Sequence, residues 1–248
     1  MKIQRSPEAS VSHFSKRAGR YNASARWVRD RALLSKMTRA AGPLRGAVLL
    51  DLAVGTGEVA KAFKDRAKMV VGVDICAAMS GKAAGHVDLL VYSRAENLPF
   101  PDGSFDLCTC RQGLQFMDLQ KTLAEVRRVL KPGGRAVFCH LTSYGGADDA
   151  PAFLTQKLRN PARRNFFSPG DLAREAKKLF PRVTTLEHIT RESVGNWSSN
   201  GAIPLSARKR IAGVYSGAPA GFIKAHNVEF KNGDIFDSMR MEIVTAFR

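Results

Sequence analysis

Apolar runs and amphipathic stretches alternate along the middle of this chain. The runs are short, continuous and bounded by polar or glycine-containing segments, and they lie near residues 47–52, 69–73, 88–92, 105–110 and 135–141. Helical spacing separates several of them, for example over 119–130. Such runs are typical of buried parallel strands. Strands that alternate with helices predict crossover units in a sheet covered on both faces.

The two ends of the chain are less regular. Over residues 14–41, apolar residues recur among basic ones at near-helical spacing until Gly42 and Pro43 end the pattern, which predicts one or two amphipathic helices. Beyond Tyr144 we expect a polar, basic stretch at 145–165, a capped helix starting at 168–171, a strand near 183–189, a second irregular stretch and a closing strand over 239–244.

Net charge is the unusual bulk property of a chain whose 248 residues otherwise fit one α/β domain with insertions. The charge is +17, the pI is near 10.2, and residues 1–45 contain eleven Lys and Arg against two Asp and Glu. Such a charge attracts polyanions. RNA, acidic carrier proteins, anionic lipid headgroups and phosphate-bearing substrates are the candidate partners, and a solvated basic surface is the alternative.

Targeting signals and metal-site spacings are absent from the sequence pattern. The first seven residues lack the apolar core of a signal peptide, and no run of about 18 apolar residues could span a bilayer. The four cysteines show neither zinc-site spacing nor a CxxC pair. We therefore expect reduced thiols, no metal site and a cytoplasmic protein.

The first strand-to-helix turn is the candidate ligand site. In an open parallel sheet, ligands bind beyond the carboxyl ends of the strands, where the strand order reverses. In this turn, Gly55 and Gly57 would let the backbone bend sharply and approach a ligand. Asp74, 23 residues after Asp51 and at the end of the second strand, is placed to accept hydrogen bonds from ribose hydroxyls.

Charge distinguishes two classes of ligand at this turn. The spacing of Gly55, Gly57 and Ala60 also satisfies a loose dinucleotide fingerprint, and a dinucleotide lays its pyrophosphate against the N-terminus of the first helix. Here Asp51 closes the preceding strand and Glu58 occupies the first helical turn, so two carboxylates flank that position. They favour a cationic ligand such as S-adenosylmethionine, which carries a sulfonium and an ammonium and no phosphate.

Three motifs occur in matching order along the chain. They are the turn motif at 49–56, the stretch AENLPFPDGSFD at 95–106 and the stretch EVRRVLKPGG at 125–134. Together they resemble the motifs of class I S-adenosylmethionine-dependent methyltransferases of the ubiquinone/menaquinone C-methyltransferase type, over about residues 12–142. The resemblance implies a Rossmann-like α/β fold with a mostly parallel seven-stranded sheet flanked by helices, and with lid insertions.

The same resemblance implies a domain plan and a set of cofactor contacts. One domain would comprise a helical cap at 1–45, a cofactor-binding core at 46–142, and an acceptor and lid region with the closing strands at 143–248. The implied contacts are Tyr21 as a cap, Asp51, Gly55, Thr56 and Gly57 at the methionine end, Asp74 on the ribose, Ile75 and Met79 around adenine, Ala95 and Glu96 at the adenine edge, and Arg111 after the fourth strand. Arg94 departs from the family, whose members often have Asp there.

Catalytic candidates follow from the chemistry of methyl transfer. An in-line displacement needs alignment and exclusion of water, and a base only if the acceptor must lose a proton. His140, at the end of the fifth strand, is the first candidate base, with His226 and Tyr144 behind it. Gln115 lies in the segment that is between cofactor and acceptor in this family. Structural roles, as a packed histidine and a helix-surface amide, are the alternatives.

Three functions remain open at this point. The leading one is methyl transfer to a small-molecule acceptor, a quinol, phenol or carboxylate, free or presented on CoA or an acyl carrier. An RNA methyltransferase is the alternative favoured by charge, although no appended RNA-binding domain is recognisable; a cofactor-binding regulatory protein is the third. We expect the acceptor pocket to come from the N-terminal helix, 145–165 and 193–232. Lys16, Arg17 and Arg20 are expected to steer an anionic acceptor from the surface.

Overall fold

The strands form one sheet in the computed structural model, which describes residues 7–248. Residues 1–6, on which the signal-peptide argument partly depends, lie outside the described residues. The strands are β1 (Val48–Leu52), β2 (Met69–Asp74), β3 (Leu89–Tyr92), β4 (Phe105–Arg111), β5 (Leu130–Leu141), β6 (Arg182–Ser193), β7 (Glu229–Lys231) and β8 (Asp234–Phe247). Their order is β3-β2-β1-β4-β5-β8-β6, and β7 pairs with β8 outside this path.

Ten α-helices occur within the described residues. They are α1 (Pro7–Arg17), α2 (Arg31–Ala41), α3 (Glu58–Lys64), α4 (Ala77–Ser80), α5 (Leu119–Val129), α6 (Asp149–Arg159), α7 (Asp171–Lys177), α8 (Val194–Ser198), α9 (Leu205–Ser216) and α10 (Ala220–Ala225). Short 3₁₀ turns add to them, among them Tyr21–Ala23, Arg26–Arg29 and Leu114–Phe116. None of the helices within residues 7–248 has the length and apolarity needed to cross a membrane.

The sheet confirms the predicted α/β class and corrects the strand number. Strands β1 to β5 are mutually parallel, whereas β8 runs antiparallel to β5, β6 and β7. The sheet therefore has eight strands and not seven. The additional strand, β7, forms a hairpin with β8 through Asn232 and Gly233, both of which have positive φ, as a two-residue turn of this type requires. The three residues of β7 are all exposed, so the sequence contains no apolar run from which this strand could be predicted.

Apolar side chains cover both faces of the sheet. Leu49 and Val137 belong to one buried cluster, and their neighbours Leu50 and Phe138 belong to a second. Successive residues of a strand point to opposite faces, so continuous apolar runs fill both layers. This arrangement leaves the polar ends of the strands, at the carboxyl edge of the sheet, as the position for a site.

Two segments predicted to be irregular contain helices. Residues 145–165 include α6, and residues 193–232 include α8, α9 and α10. Helix α6 packs against α9. The basic residues within α6 and α9 weakened the apolar periodicity on which the prediction depended.

The N-terminal part of the chain is attached to the sheet by acidic side chains. Glu192 of β6 accepts hydrogen bonds from the backbone N–H groups of Arg26 (2.9 Å) and Trp27 (2.8 Å). Asp30 caps α2 by accepting from the N–H groups at the start of that helix, and it also bonds His188 at 2.8 Å. These contacts attach the turn at Arg26–Arg29 and the start of α2 to strand β6.

Candidate active site

A cleft lies at the carboxyl ends of β1, β2 and β4, where the strand order reverses between β1 and β4. It contains about 890 Å³ of open space. Eight residues of the predicted cofactor set line it together: Tyr21, Gly55, Asp74, Ile75, Met79, Ala95, Glu96 and Arg111. Asp51 and Thr56 line a smaller adjoining pocket, and Gly57 lines neither.

The turn after β1 has the backbone geometry that its glycines favour. Gly55 and Gly57 have φ values of 53° and 81°. A Cβ on Gly57 would lie 2.9 Å from the Cβ of Ala83. Gly57 therefore permits close packing of the turn against the segment after α4, whereas Gly55 faces the cleft.

Asp74 presents its carboxylate at the end of β2. One oxygen accepts from the backbone N–H of Gly55 (2.9 Å) and the other from that of Cys76 (2.8 Å). Burial raises the pKa of Asp74, and the backbone hydrogen bonds oppose that effect. Each carboxylate oxygen has a second lone pair, so the fixed group can still accept hydrogen bonds from a ligand in the cleft.

Asp51 lies behind the turn and bonds within the protein. Its Oδ1 accepts from the hydroxyl of Thr109 (2.8 Å) and its Oδ2 from the backbone N–H of Ala60 (3.1 Å) in α3. Burial raises the pKa of Asp51 to about 7. An N–H group that a pyrophosphate would use at the start of this helix is therefore already occupied by a carboxylate.

Asn22 joins the N-terminal segment to the same turn. Its Oδ1 accepts from the hydroxyl of Thr56 (2.6 Å), and its Nδ2 donates to the carboxylate of Glu58 (2.7 Å). These two hydrogen bonds hold Tyr21 over the cleft. Tyr21 was expected to cap the cofactor, whereas Asn22 was not identified from the sequence, because a lone Asn carries no pattern.

Two charged side chains that line the cleft are held by other parts of the chain. Arg111 donates to the carbonyl of Val28 (3.0 Å) and lies 5.5 Å from the ring centre of Trp27. Glu96 accepts from the backbone N–H of Asp118 (2.9 Å) and lies 3.4 Å from the guanidinium of Arg94. Arg94, which stands where the resemblance implies Asp, thus pairs with the neighbouring carboxylate.

A second cavity adjoins the cleft. It contains about 410 Å³ of space, and Phe14, Tyr21, Gln112 and Phe116 border both spaces. Gln115 lines this second cavity and donates through Nε2 to Oε1 of Gln112 (2.6 Å). Its expected position beside an acceptor is therefore compatible with the geometry.

Gln112 and Gly113 form a tight turn beside the two spaces, within the segment 110–116 that the resemblance implies to lie between cofactor and acceptor. Gln112 has φ of 58°, which is uncommon for a residue other than glycine. A Cβ on Gly113 would lie 2.7 Å from both Cβ of Ala53 and Sγ of Cys110. A Gln-Gly pair directly after an apolar strand was the available signal for this turn.

Of the expected bases, His140 is packed in the core, whereas His226 lines a small pocket that adjoins the second cavity. His140 is 1% exposed, burial lowers its pKa to about 3, and Phe167 packs 4.7 Å from its ring centre. His226 is held between Asp148 and Asp237. Neither histidine lines the cleft or the second cavity itself. The geometry therefore gives no support to His140 as a general base, because strand β5 directs its side chain into the core.

Comparison with known proteins identifies related sequences and folds. Residues 50–138 match a family profile described as a methyltransferase domain. The chain is 35% identical over 176 residues to the uncharacterized methyltransferase YcgJ of Bacillus subtilis, a match that covers 66% of this chain and 68% of that protein. The crystal structure of YcgJ superposes with a TM-score of 0.80 at 23% identity and covers 87% of this chain and 97% of that one.

Two further relatives have named substrates. The demethylmenaquinone methyltransferase of Thermus thermophilus is 40% identical over 126 residues, which are 47% of this chain and 54% of that protein. The malonyl-[acyl-carrier protein] O-methyltransferase of Serratia marcescens is 33% identical over 141 residues, which are 55% of this chain and 54% of that protein. The chain thus spans about half the length of such curated relatives.

Proposed function

Because this chain belongs to the class I S-adenosylmethionine-dependent methyltransferase family, we propose that it transfers a methyl group from S-adenosylmethionine to a small-molecule acceptor. The relatives with named substrates act on a quinone and on a carrier-bound malonyl group. The family match and these relatives give no support to an RNA acceptor. A cytoplasmic location agrees with four buried, free thiols.

The positions of two carboxylates, Asp74 and Asp51, on either side of the first strand-to-helix turn are the observation that carries this proposal. Asp74 presents a fixed carboxylate that can accept hydrogen bonds from the ribose hydroxyls of a nucleoside. Asp51 already accepts the hydrogen bond of the Ala60 N–H near the start of α3, a group that the pyrophosphate of a dinucleotide would need. Ile75, Met79 and Ala95 add an apolar wall suited to adenine. The residues present therefore fit S-adenosylmethionine better than NAD.

The residues of the chain hold and align the two reactants. When bound, S-adenosylmethionine would supply a methyl group attached to a sulfonium, from which a neutral thioether is a good leaving group. Asp74 fixes the ribose, and Arg111 is placed to hold the methionine carboxylate. Tyr21 and Phe116 lie between the cleft and the second cavity, so they can exclude water from the line of transfer. A carboxylate acceptor needs no base, which agrees with the burial of His140.

Calorimetry with S-adenosylhomocysteine and NAD tests the proposal. We expect S-adenosylhomocysteine to bind with a dissociation constant on the order of micromolar (~8 kcal/mol) and NAD to show no measurable heat. Comparable binding of NAD would overturn the assignment of the cleft. Incubation of cell extract with the protein and isotopically labelled S-adenosylmethionine, followed by mass spectrometry, then identifies the methylated acceptor. Binding without any labelled product would favour a regulatory protein.

A further inference from the structure

Three arginines line the second cavity, and each is almost completely removed from solvent. Arg17 comes from the end of α1, Arg159 from the end of α6, and Arg163 from the loop that follows α6. Their exposed fractions are 2%, 8% and 5%. Arginine is rarely buried to this extent unless a carboxylate or phosphate pairs with it.

No carboxylate within residues 7–248 forms an ion pair with any of the three. The Nη2 atoms of Arg17, Arg159 and Arg163 have no hydrogen-bond partner, and neither has Nε of Arg17. Arg159 and Arg163 use only Nε, which donates to the backbone carbonyls of Trp197 (2.8 Å) and Asn165 (3.0 Å). The guanidinium groups of the three arginines, in chain order, also lie over the aromatic rings of Tyr21 (5.0 Å), Trp197 (4.6 Å) and Phe166 (5.2 Å). These contacts leave the buried Nη2 donors without hydrogen bonds, which is uncommon in folded proteins.

The environment of the cavity is correspondingly positive. The charges of Arg17 and Arg163 both act on Arg159, and burial lowers the pKa of Arg163 to about 9. Burial, together with the charges of Arg17, Arg159 and Lys16, lowers the pKa of His13 to about 3. Glu192 is the one described carboxylate with a marked influence on Arg159, and it already holds two backbone N–H groups.

We propose that the second cavity is the acceptor site and that it binds an acceptor bearing a carboxylate or phosphate group through Arg17, Arg159 and Arg163. This inference rests on the proposed function, because it assigns the acceptor to the space beside the cofactor cleft. A planar guanidinium binds either group through two parallel hydrogen bonds. Trp27, Phe116 and Trp197 line the same cavity, so the remainder of the acceptor is apolar or aromatic.

Benzoate and inorganic phosphate are suitable probes for this site. Benzamide has the shape of benzoate without its charge and is the matched control ligand. At constant ionic strength, we expect benzoate, phosphate or both to raise the melting temperature of the protein, with S-adenosylhomocysteine present or absent, and benzamide to leave it unchanged. The response to benzoate against phosphate distinguishes a carboxylate from a phosphate acceptor. No stabilisation by either anion would overturn the inference.

Substitutions test whether the stabilising anion binds in the second cavity. R17Q and R163Q should weaken binding of the effective anion at least tenfold, whereas R210Q, which removes an exposed charge on α9, should leave it unchanged. Loss of an unpaired buried charge should not lower the melting temperature of ligand-free R17Q. A lower melting temperature there, or equal weakening in R210Q, would indicate a structural role and contradict the inference. If R163Q does not fold, R163K, which keeps the charge but not the planar fork, should bind the anion more weakly than wild type.

The two proposals can fail separately. S-adenosylhomocysteine binding is measured without added anion and should be unchanged in R163Q. Anion binding without S-adenosylhomocysteine binding would reject the proposed function and leave the anion site established. Binding of S-adenosylhomocysteine without any anion effect would reject the anion site alone.

Discussion

At the scale of single residues, Asp74 combines two tasks. Its oxygens organise the N–H groups of Gly55 and Cys76, and the same carboxylate faces the cleft. We expect D74A to weaken S-adenosylhomocysteine binding by about 1.5 to 3 kcal/mol, roughly 10- to 150-fold, because a charge-assisted hydrogen bond is lost. Calorimetry measures the loss.

A matched variant separates the two tasks of Asp74. D74N keeps one oxygen acceptor and loses the charge, so it should fall between wild type and D74A. Circular dichroism melting of each variant checks that the fold is retained. An unchanged dissociation constant in D74A would show that the ribose is held elsewhere.

The sequence predicts the positions of the residues in the cofactor cleft better than those of the arginines in the second cavity. Gly55 and Asp74 were predictable because Gly55 lies in the glycine-containing turn after the first strand and Asp74 ends the second strand, and both features are local in the sequence. Arg17, Arg159 and Arg163 were not, because arginine is normally exposed and their burial depends on α1, α6 and a loop meeting in space. Arg17 was expected to be an exposed steering charge, and the structure corrects this, since α1 directs it inward.

At the scale of elements, a buried polar network joins α10, β8 and the turn before α6. In its charged form, His226 donates through Nδ1 to Asp237 (2.7 Å) and through Nε2 to Asp148 (2.8 Å), and Tyr215 donates to Asp237. Burial lowers the pKa of His226, but the two carboxylates outweigh it and raise the pKa to about 9. The charged form of His226 is therefore the one that stabilises the fold.

The sign of the pH dependence follows from that raised pKa. Stability from His226 is fully present below its unfolded pKa of 6.5 and is lost as the pH rises towards about 9. The loss should be on the order of 3 kcal/mol in the free energy of unfolding. Urea denaturation at several pH values measures it, and H226N should lack most of this dependence. H86N is the control, and an equal slope in H226N and wild type would contradict the assignment.

Elements of the central sheet were easier to predict than those of the lid region. Strands β1 to β4 are largely apolar runs, so the pattern alone located each end of them to within one residue. Strand β5 begins at Leu130, five residues before its predicted start, because the strand also includes the polar stretch from Lys131 to Gly134. Helix α6 ends in Arg159, which packs inward towards Trp197, and its polar face therefore does not mark the solvent side. Strand β7 exists only because the turn at Asn232 brings it against β8.

At the scale of the whole molecule, the net charge of +17 produces a positive electrostatic potential that attracts anions. Lys16 and Arg20 are exposed beside the second cavity's Arg17. We expect K16E/R20E to slow association of the anion that binds the cavity, and the difference to fade at high salt, because exposed charges are screened within about 8 to 10 Å. Stopped-flow mixing at two ionic strengths measures the rate.

A control for this electrostatic effect lies at the other end of the sheet. Arg66 and Lys68 are exposed before β2, at the edge opposite the cleft. R66E/K68E changes the net charge equally and should affect the association rate much less. Equal slowing in both double variants would mean that net charge matters and its position does not.

The attachment of Asn22 to the turn at Thr56 has a kinetic consequence. Phe14 and Tyr21 border both spaces, so the segment that Asn22 fastens forms a shared wall of the two ligand sites. Any opening wide enough to exchange the cofactor must break this contact and loosen the acceptor's surroundings as well. Exchange of the cofactor and exchange of the acceptor should therefore be coupled, because the same wall has to move for either one.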